Sequence, residues 1–110
     1  MKKHFYQHLI QIDPIYEELI KLDLEKYEQD ELITIVHVQI HHVVVDTVLT
    51  ELSEENKKIF LRHLHADAHD KIWEHINKYI EHADNKIILA VEKLLSELQK
   101  DINEARKKYA

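Results

Sequence analysis

Ten histidines among 110 residues are the main chemical resource of this sequence. Three pairs stand four residues apart: His4 with His8, His37 with His41, and His65 with His69. On a helix that spacing puts two imidazoles on one face, where they can share a metal ion. Around the third pair, His63-Leu64-His65-Ala66-Asp67-Ala68-His69-Asp70 adds carboxylates to the imidazoles. This stretch could supply three nitrogen or oxygen ligands across a helix junction, so His63, His65, Asp67 and His69 are the candidate ligands for zinc or another transition metal. The plainer reading is that these imidazoles are solvated, or are partnered by nearby carboxylates, as His42 would be by Asp46.

Other chemistry has little material. With no Cys there is no thiolate nucleophile, disulfide or cysteine zinc site. With no Gly there is no P-loop, dinucleotide fingerprint, nucleophile elbow or calcium loop. The sequence contains no His-Glu-x-x-His and no Glu-x-x-His of the di-iron bundle type. Apart from the tyrosines, hydroxyls come only from Thr34, Thr47, Thr50, Ser53 and Ser96. Ser53 is explained as a helix cap and Ser96 as an exposed helix residue. Glu17/Glu18 and Asp30/Glu31 look like a solvated acidic face. No enzyme is expected, and no cofactor unless the histidines hold a metal.

Charge narrows the partners. The formal net charge is −6, and residues 13–31 set eight carboxylates against two lysines. No segment forms the basic stripe that a nucleic-acid backbone needs. Protonating all ten histidines would move the net charge from −6 to +4, so self-association should vary with pH. Met1-Lys2-Lys3 starts like a signal peptide, but Asp13-Pro14 follows after a short segment carrying His4 and His8. The apolar run Leu32–Leu52 is broken by His37, Gln39, His41, His42 and Asp46. No membrane span and a cytoplasmic protein are expected.

The elements that must position these residues are helical: an all-α bundle of about five helices in one domain, residues 1–110. Residues 1–12 hold a helical turn or two and are expected to be mobile. Asp13-Pro14 reads as a cap followed by the first helical residue. The segment Glu28 to Leu52 is rich in β-branched residues, which favours strands. It nevertheless has no Gly, Pro or Asn from Ile15 to Glu55, and Ile33, Val36, Ile40, Val43, Val44, Val48 and Leu52 recur at three and four. That pattern predicts one long, largely buried helix at the centre of the bundle. Ser53 caps the next helix, with Ile59, Phe60 and Leu64. Asp67 is read as the cap of another, with Ile72, Trp73, Ile76, Tyr79 and Ile80 facing inward. Asp84 opens the last helix, 85–108, where Ile88, Val91, Leu95, Leu98, Ile102, Ala105 and Tyr109 form a heptad seam.

The expected function follows from the surplus of apolar surface: a non-enzymatic protein-protein interaction or assembly subunit, acting in a homo-oligomer or with a protein partner. Trp73, Tyr79, Leu98, Ile102 and Tyr109 are the expected interface. The alternative is a histidine-rich metal-binding or pH-responsive protein.

The order of Tyr16-Glu17-Glu18-Leu19-Ile20-Lys21-Leu22-Asp23-Leu24, the long aliphatic helix, Leu49-Thr50-Glu51-Leu52-Ser53-Glu54-Glu55-Asn56, Phe60 and the helix ending at Tyr79-Ile80 resembles a family of short all-helical bacterial proteins of unknown function, found in small-genome bacteria. The resemblance covers about residues 16–102 and implies a bacterial all-α protein with no catalytic residue. The chain departs from that pattern in lacking a Pro within Glu81-His82-Ala83-Asp84 and in its histidine content.

The metal reading has a direct check. Native mass spectrometry of protein purified without chelators should show a stoichiometric zinc, nickel or copper adduct. His65→Ala combined with His69→Ala should remove it, and unchanged metal content would end this reading.

Overall fold

The computed structural model describes residues 4–109, with side chains through Glu104. A short 3-10 turn, Gln7–Leu9, leads into α1 (Asp13–Ile20), α2 (Lys26–Glu51), α3 (Glu54–His65), α4 (His69–Tyr79) and α5 (Ala83–Tyr109). The fold is all-α, with no strand among the described residues.

Residues 32–45, where strand and helix patterns compete, are helical throughout. α2 begins on a reciprocal cap: the Glu25 carboxylate accepts from the Glu28 N–H, and the Glu28 carboxylate accepts from the Glu25 N–H at 3.1 Å. β-branched residues lower helix propensity by less than about 0.7 kcal/mol each, against about 1.5–3 kcal/mol for burying one such side chain fully. Val36, Ile40, Val44 and Val48 are all buried, so burial outweighs propensity. By length and a mean hydropathy of 1.6 over its most apolar eighteen residues, α2 meets the test for a membrane span. In this fold its core stripe packs against α5 and α1.

α5 opposes α2 with Ala83, Ile87 and Val91, also four apart, and continues with the half-buried Leu94, Leu95, Leu98 and Ile102. Lys86 near the start of α5 meets Glu51 at the end of α2 at 3.3 Å, so the two long helices run antiparallel. They set the long axis of a molecule measuring 50 × 25 × 21 Å. α1 adds Ile15 and Leu19, while the α3–α4 hairpin adds Phe60, Ile72 and Ile76.

Several expectations need correction. Asp13 does not cap α1 but is its first residue, after Ile12, which has no side-chain cap. α2 is buried along the stripe Val36, Ile40, Val44 and Val48 rather than over most of its surface. In the N-terminal segment Phe5 and Tyr6 are buried, and Phe5 meets Phe60 and Trp73 edge-on, with ring centroids 5.9 and 5.6 Å away. Trp73 Nε1–H donates to the Phe5 carbonyl at 2.7 Å, which ties this segment to α4. On α4 itself, Tyr79 is 46% exposed and His75 takes the inner position, its Nε2 3.2 Å from the Asn56 carbonyl. Finally, Asp67 does not cap α4; Ala68 stands there without a side-chain cap.

Asp67 is committed elsewhere. The Ala68 N–H donates to the His63 carbonyl and the Asp67 N–H to the Leu64 carbonyl, both at 3.1 Å. This is a Schellman closure of α3, and Asp67 holds its left-handed position at φ 54°. His82 has the same φ at the entry to α5, where its carbonyl accepts from the Lys86 N–H at 3.1 Å. Both are positions where glycine is usual, in a chain that has none.

A left-handed L-residue costs about 1–2 kcal/mol, partly offset by the extra freedom glycine gives the unfolded chain. His82→Gly should therefore raise Tm by a few degrees in a circular dichroism melt. His82→Val, β-branched at positive φ, should lower it.

Candidate functional site

The expected metal ligands are not brought together. His65 is the last residue of α3 and His69 the first of α4, with the turn at Asp67 between them. Their four-residue spacing spans the α3–α4 junction, so the two imidazoles do not share the face of one helix. His63 turns instead toward His75, with ring centroids 6.2 Å apart. Among the described residues no three His, Asp or Glu side chains are grouped to hold a metal ion. Of the expected interface, Trp73 uses its indole N–H within the chain, and Leu98 and Ile102 lie half-buried against the core. Tyr79 stands outward, its ring 4.9 Å from that of His75 and beneath Lys78 Nζ. The Tyr109 side chain lies outside the described residues.

What the structure does assemble is a set of tyrosine–histidine pairs. His37 and His41 sit one turn apart on the same side of α2, and each meets a tyrosine from a different element. Tyr16 of α1 places its hydroxyl 2.9 Å from His37 Nε2. Tyr6 of the N-terminal segment places its hydroxyl 3.1 Å from His41 Nδ1. The His4 ring stacks on Tyr6 at 5.1 Å, nearly parallel, and lies 4.9 Å from that of His41. Burial pushes the Tyr6 phenol up to about 12, and burial with the nearby Asp13 carboxylate raises Tyr16. Both phenols therefore keep their protons at neutral pH. His41 is held below its ordinary value, first by burial and then by His4 and His42. Neutral His41 can accept the Tyr6 O–H at Nδ1, which places the ring proton on Nε2.

Between these pairs a cleft of about 290 Å³ opens under the N-terminal segment. Ile10, Ile12 and Ile40 supply its apolar walls, and His4, Gln7 and His37, with Tyr6 and Thr34, its polar ones. Sequence reasoning missed this site because Tyr6 and Tyr16 are far from their partners along the chain. The only local signal was the His37/His41 spacing.

A second feature lies farther round α2, away from its core row. Ile35, Val38, His42, Val45 and Leu49 step by three and four along this face. Ile35 and Val38 are 45% and 49% exposed, Val45 and Leu49 are half-buried, and a shallow groove runs along His41, His42, Val43, Val45, Asp46 and Leu49. After Lys26 the helix has no lysine or arginine, but it carries Glu28, Asp30, Glu31 and Asp46, besides Glu51, which is paired with Lys86 of α5.

The chain matches no protein-family model, and neither a curated protein nor a solved structure is significantly similar to it. Its class is set by fold alone: an all-α bundle with two long antiparallel helices.

The depressed His41 has a consequence for stability. Above its ordinary value of 6.5 both folded and unfolded chains hold it neutral. As pH falls through that value the unfolded chain takes up the proton first, so the fold loses stability on the acid side. Tm should fall between pH 7.5 and 5.5, and His41→Gln should reduce that fall. An equal fall in the variant would remove His41 from the account.

Proposed function

We propose that this chain is a non-enzymatic helical interaction or assembly subunit, whose outer α2 face seats an amphipathic partner helix with lysine- or arginine-rich rims. The observation that supports this reading is the apolar row Ile35–Val38–Val45–Leu49 at coiled-coil spacing, exposed at Ile35 and Val38 and half-buried against the core at Val45 and Leu49. Its rims favour a basic partner. A second copy of α2 would bring carboxylates against carboxylates in either direction, whereas lysines or arginines would complement them. The scarcity of nucleophiles supports the non-enzymatic part. Thr34, Thr47 and Thr50 donate their hydroxyls to the carbonyls of Asp30, Val43 and Asp46, and Ser53 Oγ accepts from the Asn56 N–H.

Two synthetic amphipathic helices of about three heptads, one with lysine rims and one with glutamate rims, test this by fluorescence anisotropy. The lysine peptide should bind, more weakly at high salt. Val38→Asp should weaken binding about tenfold, roughly 1.4 kcal/mol, with the far-ultraviolet spectrum unchanged. Equal binding of both peptides, or of neither, would refute the reading. A dimer in sedimentation that Val38→Asp dissociates would give this face to a second copy instead.

A further inference from the structure

The cleft beneath the N-terminal segment is independent of the outer α2 face, and nothing in the interaction reading uses it. We infer that it binds a small molecule with a short aliphatic body and a hydrogen-bond-accepting head, a carboxylate or a carbonyl. At about 290 Å³ it matches the small end of ligand pockets, which begin near 300 Å³ and pair mostly apolar walls with a few converging polar groups. Ile10 and Ile12 from the N-terminal segment, with Ile40 from α2, provide the wall for the body.

The rim favours such a head because two of its side chains, Gln7 and His37, can donate. The Gln7 Oε1 atom accepts the His4 backbone N–H at 3.2 Å, which leaves the Gln7 amide N–H groups to donate to a ligand. When the Tyr16 hydroxyl donates into His37 Nε2, the neutral ring carries its own proton on Nδ1, a second donor on a side chain that lines the cleft. The Thr34 and Tyr6 hydroxyls give their hydrogens to the Asp30 carbonyl and His41, which leaves their oxygens as neutral acceptors. Among the described residues no carboxylate lines the cleft, so an ammonium head would find no counter-charge there.

The test uses three eight-carbon probes that differ only in the head: octanoate, 2-octanone and octylamine. Binding is read by NMR from the methyl signals of Ile12 and Ile40 and the ring signals of His37. Saturable shifts at these residues are expected from octanoate or 2-octanone, with octylamine clearly weaker. Binding of octanoate alone would identify an anionic head, and binding of the ketone a neutral carbonyl; either supports the site. Removing one donor should weaken binding about three- to tenfold, the worth of one hydrogen bond. His37→Phe makes that change but also takes the acceptor from Tyr16, so the exposed Gln7→Ala serves as the second variant. The inference is overturned if octylamine binds as well as the others, if no probe shifts these signals at millimolar concentration, or if neither variant weakens binding.

Discussion

The ridge formed by Val36, Ile40, Val44 and Val48 carries the architecture. Residues four apart on a helix make a continuous row, and two such rows pack when each fills the groove beside the other. α5 supplies the matching row through Ala83, Ile87 and Val91, and the Glu51–Lys86 contact marks the end at which the two helices begin to pair. That surface contact is worth at most about 1 kcal/mol and marks the register more than it holds it. The hydrophobic row holds it, because Val44, Val48 and Ile87 lose essentially all contact with water. α1 and the α3–α4 hairpin then close the remaining sides. Phe5 plugs the place where α3, α4 and the N-terminal segment converge.

The lack of glycine shaped how the chain turns. A chain without it still has to end helices, and here it does so with residues that tolerate the left-handed region at some cost. Asp67 completes the closure of α3 and His82 leads into α5, while the Glu25–Glu28 box and Ser53 start α2 and α3. The left-handed Asp67 also affects chemistry: by turning the chain there, the fold puts His65 and His69 on different helices.

One helix thus serves three purposes. Its inner row builds the core, and its flank bearing His37 and His41 meets the tyrosines that frame the cleft. The row farthest from the core is exposed at Ile35 and Val38 and half-buried at Val45 and Leu49. Because Tyr6 reaches His41 from a segment itself held by Phe5 and Trp73, the cleft depends on the aromatic cluster as much as on α2. A change in that cluster would reach the cleft without touching any residue that lines it.

The helical class, the continuity of α2 through its β-branched stretch, the Ser53 cap and the amphipathic last helix were all legible in the sequence. Each follows from interactions between residues three or four apart, or from the absence of residues that could turn the chain. The roles of Asp67, His75 and Tyr79, the anchoring of Phe5, and both tyrosine–histidine pairs were not. Asp67 has the composition of a cap for the following helix and also of a left-handed end for the preceding one, and only the actual end of α3 chooses between them. Tyr6 and Tyr16 meet their histidines across 35 and 21 residues. No periodicity encodes such a pairing; it arises once the helices have packed. Local spacing determined which helices form, and tertiary packing decided which side chains meet and which face of α2 remains uncovered.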